Sequence, residues 1–165
     1  LIGVPQHTIA DERVGAAYSF YGRPSGFAST PDWVVTGDEL YGALGTAVSG
    51  AGDVNQDGYA DVLIGIPYGD VDQRDEGVVH LYLGNAAGLP MTPQFIAAGN
   101  KADTLFGNSL SGGGDINQDG AADFLVGAPQ YKQDEHTTLG QITLFYGQQV
   151  NFSHHLYLPA IYRSE

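Results

Sequence analysis

A ten-residue segment occurs twice in this chain of 165 residues. Residues 52–61 read GDVNQDGYAD, and residues 114–123 read GDINQDGAAD, 62 positions later. A short apolar segment that ends in proline follows each copy and also opens the chain, at 1–5, 63–67 and 125–129. Repeats of this kind are typical of folds in which each unit packs against its neighbours, because one unit alone cannot bury its apolar faces.

Each repeat has the pattern of short β-strands joined by turns. An apolar run such as 62–66 ends at Pro67, and a second run such as 77–84 lies between glycines. A further strand is predicted in each repeat, at 33–35, 95–97 and 156–158. Four strands per repeat predict an all-β fold made of β-propeller blades, each a sheet of four antiparallel strands.

The repeat divides the chain into three predicted blades. Residues 1–43 form a first blade that lacks its opening strand and its Asp-rich loop, while 44–105 and 106–165 form the second and third blades. The chain therefore has about two and three-quarter blades, whereas closed propellers have roughly four to eight. Because an open sheet edge is a template for pairing, we expect further blades of a longer polypeptide or other copies of the chain, joined as a ring or a filament.

The duplicated segment has the spacing D-x-N-x-D-G-x-x-D of a calcium-binding loop. Oxygens of the side chains at positions 1, 3, 5 and 9, and of the carbonyl at position 7, converge when the chain turns at the glycine. An all-oxygen set suits Ca²⁺, since transition metals prefer nitrogen or sulfur. The predicted ligands of the two sites are Asp53, Asn55, Asp57, the Tyr59 carbonyl and Asp61, and Asp115, Asn117, Asp119, the Ala121 carbonyl and Asp123.

Two alternatives compete with the calcium-loop interpretation. An EF-hand needs a bidentate Glu at position 12 of its loop, where this chain has Ile64 and Val126 inside apolar strand runs. The loops are therefore predicted between strands and not between helices. The other alternative is an Asx-rich turn that binds nothing. Two intact copies favour calcium, because clustered carboxylates without a cation repel one another.

Charge and composition exclude several other functions. The chain has 19 acidic and 6 basic residues and a net charge of −13, which repels nucleic-acid phosphates. It has no cysteine, so disulfides, thiolate catalysis and zinc–sulfur sites are excluded. No run approaches the roughly 20 apolar residues of a membrane helix, so no membrane insertion is expected. No histidine stands in a nucleophile-elbow context, and the acidic segment 70–76 is predicted to be a solvated loop. We predict that the chain is not an enzyme.

The motifs around the Asp-rich loops resemble the FG-GAP repeat of integrin α-subunit propellers. They are Leu44-Gly45 or Phe106-Gly107 before the loop, and Gly-Ile-Pro or Gly-Ala-Pro after it. Bacterial secreted repeat proteins and the propeller of GPI-specific phospholipase D are similar too. The resemblance covers essentially the whole chain and implies a β-propeller with Ca²⁺ bound in hairpin loops at one rim. Leu44 departs from the family, which favours Phe there.

Three functions remain open from the sequence. The first is an extracellular calcium-binding protein with a structural or adhesive role, which self-associates into a ring or filament through its incomplete blade. The second is a segment of a larger receptor whose propeller binds a protein or a carbohydrate. The third is the accessory propeller of a secreted hydrolase. All three place the chain outside the cell, either secreted or at the cell surface.

Overall fold

The computed structural model describes residues 1–134 and 137–147 and the backbone of 156–157. Within these ranges no helix is long and apolar enough to cross a lipid bilayer. The described residues form the strands β1 (Ile2–Val4), β2 (Thr8–Ile9), β3 (Glu12–Arg13), β4 (Ala16–Ser19), β5 (Trp33–Thr36), β6 (Ala47–Gly52), β7 (Asp61–Ile66), β8 (Val78–Tyr82), β9 (Phe95–Ala98), β10 (Ser109–Gly114), β11 (Asp123–Ala128), β12 (Gln141–Phe145) and β13 (Leu156–Tyr157).

The second blade contains the antiparallel strands β6, β7, β8 and β9 in that spatial order. In β7, Ile64 pairs with Val48 of β6 on one side and with His80 of β8 on the other. The apolar residues of β7 are buried on both faces of the sheet, since neighbouring blades cover both faces. The predicted all-β fold with four-stranded antiparallel blades is confirmed.

The first blade contains β1, β4 and β5 in that order, with β1 paired only to β4 among the described strands. The pair Ile2 and Tyr18 in this sheet repeats the pair Ile64 and His80 in the second blade. Among the described strands, none in this sheet matches β6, and the incomplete first blade stays a prediction. A small hairpin of β2 and β3, which the sequence did not predict, follows β1.

The third blade contains β10, β11 and β12. The fourth strand predicted here at 156–158 forms at Leu156–Tyr157, but it pairs in parallel with β9 of the second blade. Its assignment to the third blade was wrong. The strand β9 is the last of its blade, and the outer edge of a sheet pairs with whichever segment reaches it. The blade boundaries at 43/44 and 105/106 stay a prediction.

The core lies between the blades. One cluster packs the first blade on the second and includes Trp33, Ile64 and Tyr82. The other packs the second blade on the third, where Phe124 stacks on Phe145 with ring centroids 4.7 Å apart. Burying one such side chain contributes about 1.5–3 kcal/mol, so the stack of sheets is held chiefly by these two layers.

The glycines of the repeated motifs set how closely the blades approach. A β-carbon added at Gly3 would lie 2.0 Å from the carbonyl oxygen of Gly45, and one added at Gly65 would lie 2.0 Å from that of Gly107. Gly45 and Gly107 have φ values of +87° and +84°, in the left-handed region that favours glycine. The glycine in the apolar segment of one blade therefore contacts, through main-chain atoms, the glycine that precedes the Asp-rich loop of the next blade.

Candidate metal loops

The two Asp-rich loops are hairpins that connect the first two strands of their blades. Residues 53–61 (the first loop) join β6 to β7, and residues 115–123 (the second loop) join β10 to β11. Both turn in the same way, with φ of +61° at Gln56 and +87° at Gly58, and +62° and +93° at Gln118 and Gly120. The duplicated sequence thus produces a duplicated backbone.

Carboxylates at positions 1 and 5 hold the turn of each loop. In the first loop, Asp53 accepts the N–H of Asp57 at 3.0 Å and that of Gly58 at 2.8 Å. Asp57 accepts the N–H of Tyr59 at 2.9 Å. The second loop repeats these bonds with Asp115, Asp119, Gly120 and Ala121 at 3.0, 2.8 and 2.9 Å. The predicted ligands at positions 1 and 5 therefore already shape the backbone around the turn.

The carboxylates at position 9 are buried and tie each hairpin to the third strand of its sheet. Asp61 accepts the N–H groups of Val54 and Gly84, both at 2.8 Å, and is 1% exposed. Asp123 accepts those of Ile116 and Gly147 at 2.7 and 3.0 Å. Burial raises the pKa of Asp61, the two N–H donors lower it, and the charges of Asp57 and Asp53 raise it further.

The position-3 amides face the neighbouring carboxylates. The Asn55 Nδ2 group donates to Asp57 Oδ2 at 2.9 Å, and Asn117 donates to Asp119 at the same distance. In the part of the chain that the structure describes, no three Asp, Glu or His side chains converge as a finished metal cage. Turning each amide over would present its oxygen in place of its N–H group. The position-7 carbonyls belong to Tyr59, whose side chain is exposed, and Ala121, which is buried.

The donor chemistry of both loops fits a hard cation. Each offers three carboxylates, one amide oxygen and one backbone carbonyl, and no nitrogen or sulfur ligand. Each carboxylate oxygen that accepts an N–H group keeps a second lone pair for a further partner. The residues therefore fit Ca²⁺, and the set of ten ligands stays a prediction.

The acidic segment 70–76 is only partly the solvated loop that the sequence predicts. Residues 70–74 are exposed, but Glu76 is completely buried. Its Oε1 atom accepts the N–H groups of Val71, Asp72 and Gln73 at 2.9, 2.7 and 3.1 Å, and its Oε2 accepts that of Asn100 at 3.0 Å. The repeat contains a signal for this role, since Glu76 stands where the first blade has Val14, before the glycine that precedes the third strand.

An acidic cleft lies at the surface between the first two blades. It has a volume of about 290 Å³ and an apolar wall that includes Val14, Ile66 and Ile96, with Glu39 and Asp70 beside it. The N–H of Asp70 donates to both carboxylate oxygens of Glu39 at 3.1 Å. Partial burial raises the pKa of Glu39, this N–H lowers it, and the charge of Asp70 raises it again. The cleft therefore combines apolar contact area with negative charge.

Antiparallel sheets stacked face to face, with an Asp-rich hairpin between the first two strands of the second and of the third, are blades of a β-propeller. The model of the FG-GAP repeat matches residues 44–82 and 106–145. The chain belongs to the FG-GAP repeat family, in its integrin-α-like form, and the resemblance noted in the sequence is confirmed.

Integrin α chains are among its relatives. Mouse integrin α-IIb is 38% identical over 136 residues, which are 78% of this chain and 13% of that protein. Integrin α-5 of Xenopus laevis is 34% identical over 137 residues, again 78% of this chain and 13% of the relative. Mouse integrin α-8 is 40% identical over 119 residues, 70% of this chain and 11% of the relative. The chain thus spans only a small part of the length of these relatives.

Proposed function

We propose that this chain is a calcium-stabilised part of the ligand-binding propeller of a larger extracellular receptor. The observation that carries the proposal is the pair of loops with the same ligand types, the same turn and the same hydrogen bonds. The similarity to integrin α chains favours the receptor over the other two functions that the sequence leaves open. Neither the acidic loops nor the cleft presents a nucleophile paired with a base, so we propose a binding role and no catalysis.

In this proposal each loop holds one Ca²⁺ ion through its five predicted oxygen ligands. A bound cation supplies the positive charge that offsets the repulsion among the three carboxylates of a loop. Asp61 and Asp123 pass that restraint to the rest of the blade, because they accept N–H groups from beyond β8 and β12. Since the unfolded chain has no formed loop, calcium is expected to stabilise the folded chain by mass action.

The acidic cleft is the proposed contact surface for a ligand. A basic side chain with an aliphatic stem matches it, because the stem would cover apolar residues such as Val14 and Ile66 while the cation meets Glu39 and Asp70. A partner of this chemistry is an extracellular protein. A glycan is the alternative, and nucleic acid is excluded by the net charge of −13.

Calcium titration calorimetry with thermal unfolding tests the function. We expect two bound ions in the wild-type chain, one in Asp57→Ala and one in Asp119→Ala, and a melting temperature that rises with calcium. Asp72→Ala is the matched control, since it removes an exposed carboxylate outside both loops. A chain that binds no calcium at millimolar concentration, with unchanged melting, would refute the proposal.

Association with further blades is a second candidate, favoured by two open faces. At the first blade, Ile2, Phe20 and Phe27 line an apolar cavity of about 380 Å³, and Phe27 is 76% exposed. In the third blade Ile142 is 69% exposed, whereas Val79, its counterpart in β8, is fully buried against the third blade. Each of these exposed faces corresponds to a face of the second blade that is buried against a neighbouring blade.

Light scattering with electron microscopy, in calcium and then in EGTA, separates the two sources of such blades. A calcium-dependent ring or filament supports association between copies, in which one copy's third blade packs on the next copy's first blade. A 17.4 kDa particle at all concentrations refutes association between copies. It would leave the receptor interpretation, in which the adjoining blades belong to the same polypeptide.

A further inference from the structure

The two metal loops touch each other through two hydrogen bonds. The N–H of Ala122, in the second loop, donates to the backbone carbonyl of Asp53, in the first loop, at 2.8 Å. The side-chain Nε2 of Gln56, in the first loop, donates to the backbone carbonyl of Asp119, in the second loop, at 3.0 Å. Both bonds therefore join the backbone of the second loop to residues of the first.

The first bond fixes the direction of a predicted ligand. The carbonyl of Ala121 and the N–H of Ala122 belong to the same planar peptide unit, in which the two groups point in opposite directions. Because the first loop holds the N–H through the Asp53 carbonyl, the Ala121 carbonyl must point away from the first loop. The position-7 ligand of the second loop is thus oriented by the position-1 residue of the first.

The second bond fixes a neighbouring peptide unit in the same way. The carbonyl of Asp119 accepts from Gln56, while the N–H of Gly120, in the same peptide unit, donates to Asp115 Oδ2 at 2.8 Å. This unit is therefore held between the two loops. It also carries the Cα of Asp119, the position-5 ligand, so its orientation affects where that carboxylate starts.

Little free space separates the two loops. A β-carbon added at Gly120 would lie 2.7 Å from Gln56 Nε2, and one added at Gly52 would lie 2.6 Å from the β-carbon of Ala122. Beside the loops, the N–H of Gly112 in β10 donates to the hydroxyl of Ser49 in β6 at 3.2 Å. Movement of the first loop therefore displaces the second.

We infer that the two loops bind calcium as one coupled unit, with the Asp53–Ala122 and Gln56–Asp119 hydrogen bonds as the coupling. The inference rests on the proposed function, since it needs both loops to bind the cation. Ordering of the first loop positions Asp53 and Gln56, and these residues hold the Ala121 carbonyl and the Asp119 backbone ready for the second ion. By thermodynamic linkage, loading of the second loop favours the first by the same factor.

The size of the coupling follows from the bonds that carry it. One neutral hydrogen bond changes an equilibrium constant by about fivefold, and two such bonds by up to roughly 30-fold. Affinity of either loop should therefore be about 5- to 30-fold higher when the other loop is loaded. Two identical independent loops would show no such dependence.

Calcium calorimetry on the full chain tests the coupling with single-loop variants. Asp57→Ala silences the first loop and Asp119→Ala the second, and neither substitution removes a coupling carbonyl. We expect cooperative binding of two ions to the wild type, and an affinity 5- to 30-fold lower for the one remaining loop in each variant. Equal losses in the two variants are required by linkage.

A variant at Gln56 tests the coupling between the loops without changing a predicted calcium ligand. Gln56→Asn shortens the side chain that reaches Asp119 and keeps a residue type that tolerates positive φ. It should reduce the coupling about fivefold, while Gln118→Asn, the same change at the matching position of the second loop, should leave it intact. Hydrogen exchange of the Ala122 amide in Asp119→Ala is a second readout, and we expect slower exchange once calcium loads the first loop.

The outcomes distinguish the coupling from the function on which it rests. If each single-loop variant binds one ion with its wild-type affinity, or if calcium leaves the Ala122 exchange rate in Asp119→Ala unchanged, the loops are independent. The coupling is then refuted and the calcium function stands. If the wild type binds no calcium, both fall together.

Discussion

Replacing Glu76 tests whether one buried carboxylate organises the loop between β7 and β8. In Glu76→Gln the single amide oxygen can face only one group of donors. If it keeps the N–H groups of Val71, Asp72 and Gln73, its own NH₂ group turns towards the N–H of Asn100, where Oε2 accepted a bond at 3.0 Å. One hydrogen bond becomes a contact between two donors, and the other three lose their charged acceptor.

The expected loss of stability follows from these four bonds. A hydrogen bond to a charged group contributes about 1.5–3 kcal/mol, and a neutral one about 1 kcal/mol. Losing one bond and weakening three costs roughly 3–9 kcal/mol, from which the desolvation penalty of the carboxylate, absent in the neutral amide, subtracts several kcal/mol. We expect Glu76→Gln to lower the free energy of unfolding by about 2–4 kcal/mol, or the melting temperature by about 5–15 °C.

Urea unfolding together with amide hydrogen exchange measures this effect. The Asn100 amide should lose most of its protection in Glu76→Gln, and those of residues 71–73 should lose less. Asp72→Asn is the control, because it neutralises an exposed carboxylate in the same loop and keeps the backbone N–H that Glu76 binds. A Glu76→Gln chain within about 0.5 kcal/mol of the wild type would refute the reasoning, since surface substitutions change stability by that much.

Two further predictions concern the cleft and the contact between blades. Because the pKa of Glu39 is raised, the folded chain binds the carboxyl proton of Glu39 more tightly than the unfolded chain does. Protonation of Glu39 therefore stabilises the folded chain fully below the usual pKa of 4.5, and this stabilisation is lost as pH rises through the pKa of the folded state. In urea unfolding, Glu39→Gln should therefore have the same free energy of unfolding as the wild type at pH 4 and become the more stable of the two towards pH 7. A difference in the free energy of unfolding that does not change with pH would contradict this prediction. Gly65→Ala should cost at least about 3 kcal/mol, since its β-carbon would lie 2.0 Å from the Gly107 carbonyl oxygen, whereas Gly50→Ala, which meets no neighbour, should cost about 1 kcal/mol or less. Equal melting temperatures for the two glycine variants would disprove the contact.

Much of the fold could be predicted because the chain repeats itself. The apolar runs at 62–66 and 77–84 correspond to β7 and β8, and the Asp-rich segments are the hairpins expected between strands. The repeated pattern also predicts that β1 lacks the partner that β7 has in β6, and among the described strands β1 pairs only with β4. Periodic burial and turn chemistry act locally, so these elements can be read from the sequence.

Features that do not repeat were missed. The hairpin of β2 and β3 turns through Ala10 and Asp11, both with positive φ, whereas the matching segment of the second blade forms no strand between β7 and β8. The pairing of β13 with β9 depends on which sheet edge lies within reach and not on the strand's own residues. Glu76 was taken as a loop carboxylate because its four backbone donors come together only in the folded chain.

The positions of the candidate ligands along the loops could be predicted, but their contacts could not. Spacing and residue type identified Asp61 and Asp123 as possible ligands. Their second role, as buried acceptors for N–H groups beyond β8 and β12, depends on partners 23 and 24 residues away. The contact of Gln56 with Asp119 is longer still in sequence, at 63 residues, and belongs to the packing of one blade on the next.

Because of the glycine contacts between neighbouring blades, the spacing of the blades does not depend on the side chains that pack between the sheets. The step from one blade to the next is set by main-chain atoms, at Gly3 with Gly45 and at Gly65 with Gly107. Side chains between the sheets are then free to differ, and the matching positions hold Ala17 in the first blade and Val79 in the second. Substitutions in the loops and between the sheets can therefore accumulate in one blade over evolutionary time without changing the rotation between neighbouring blades.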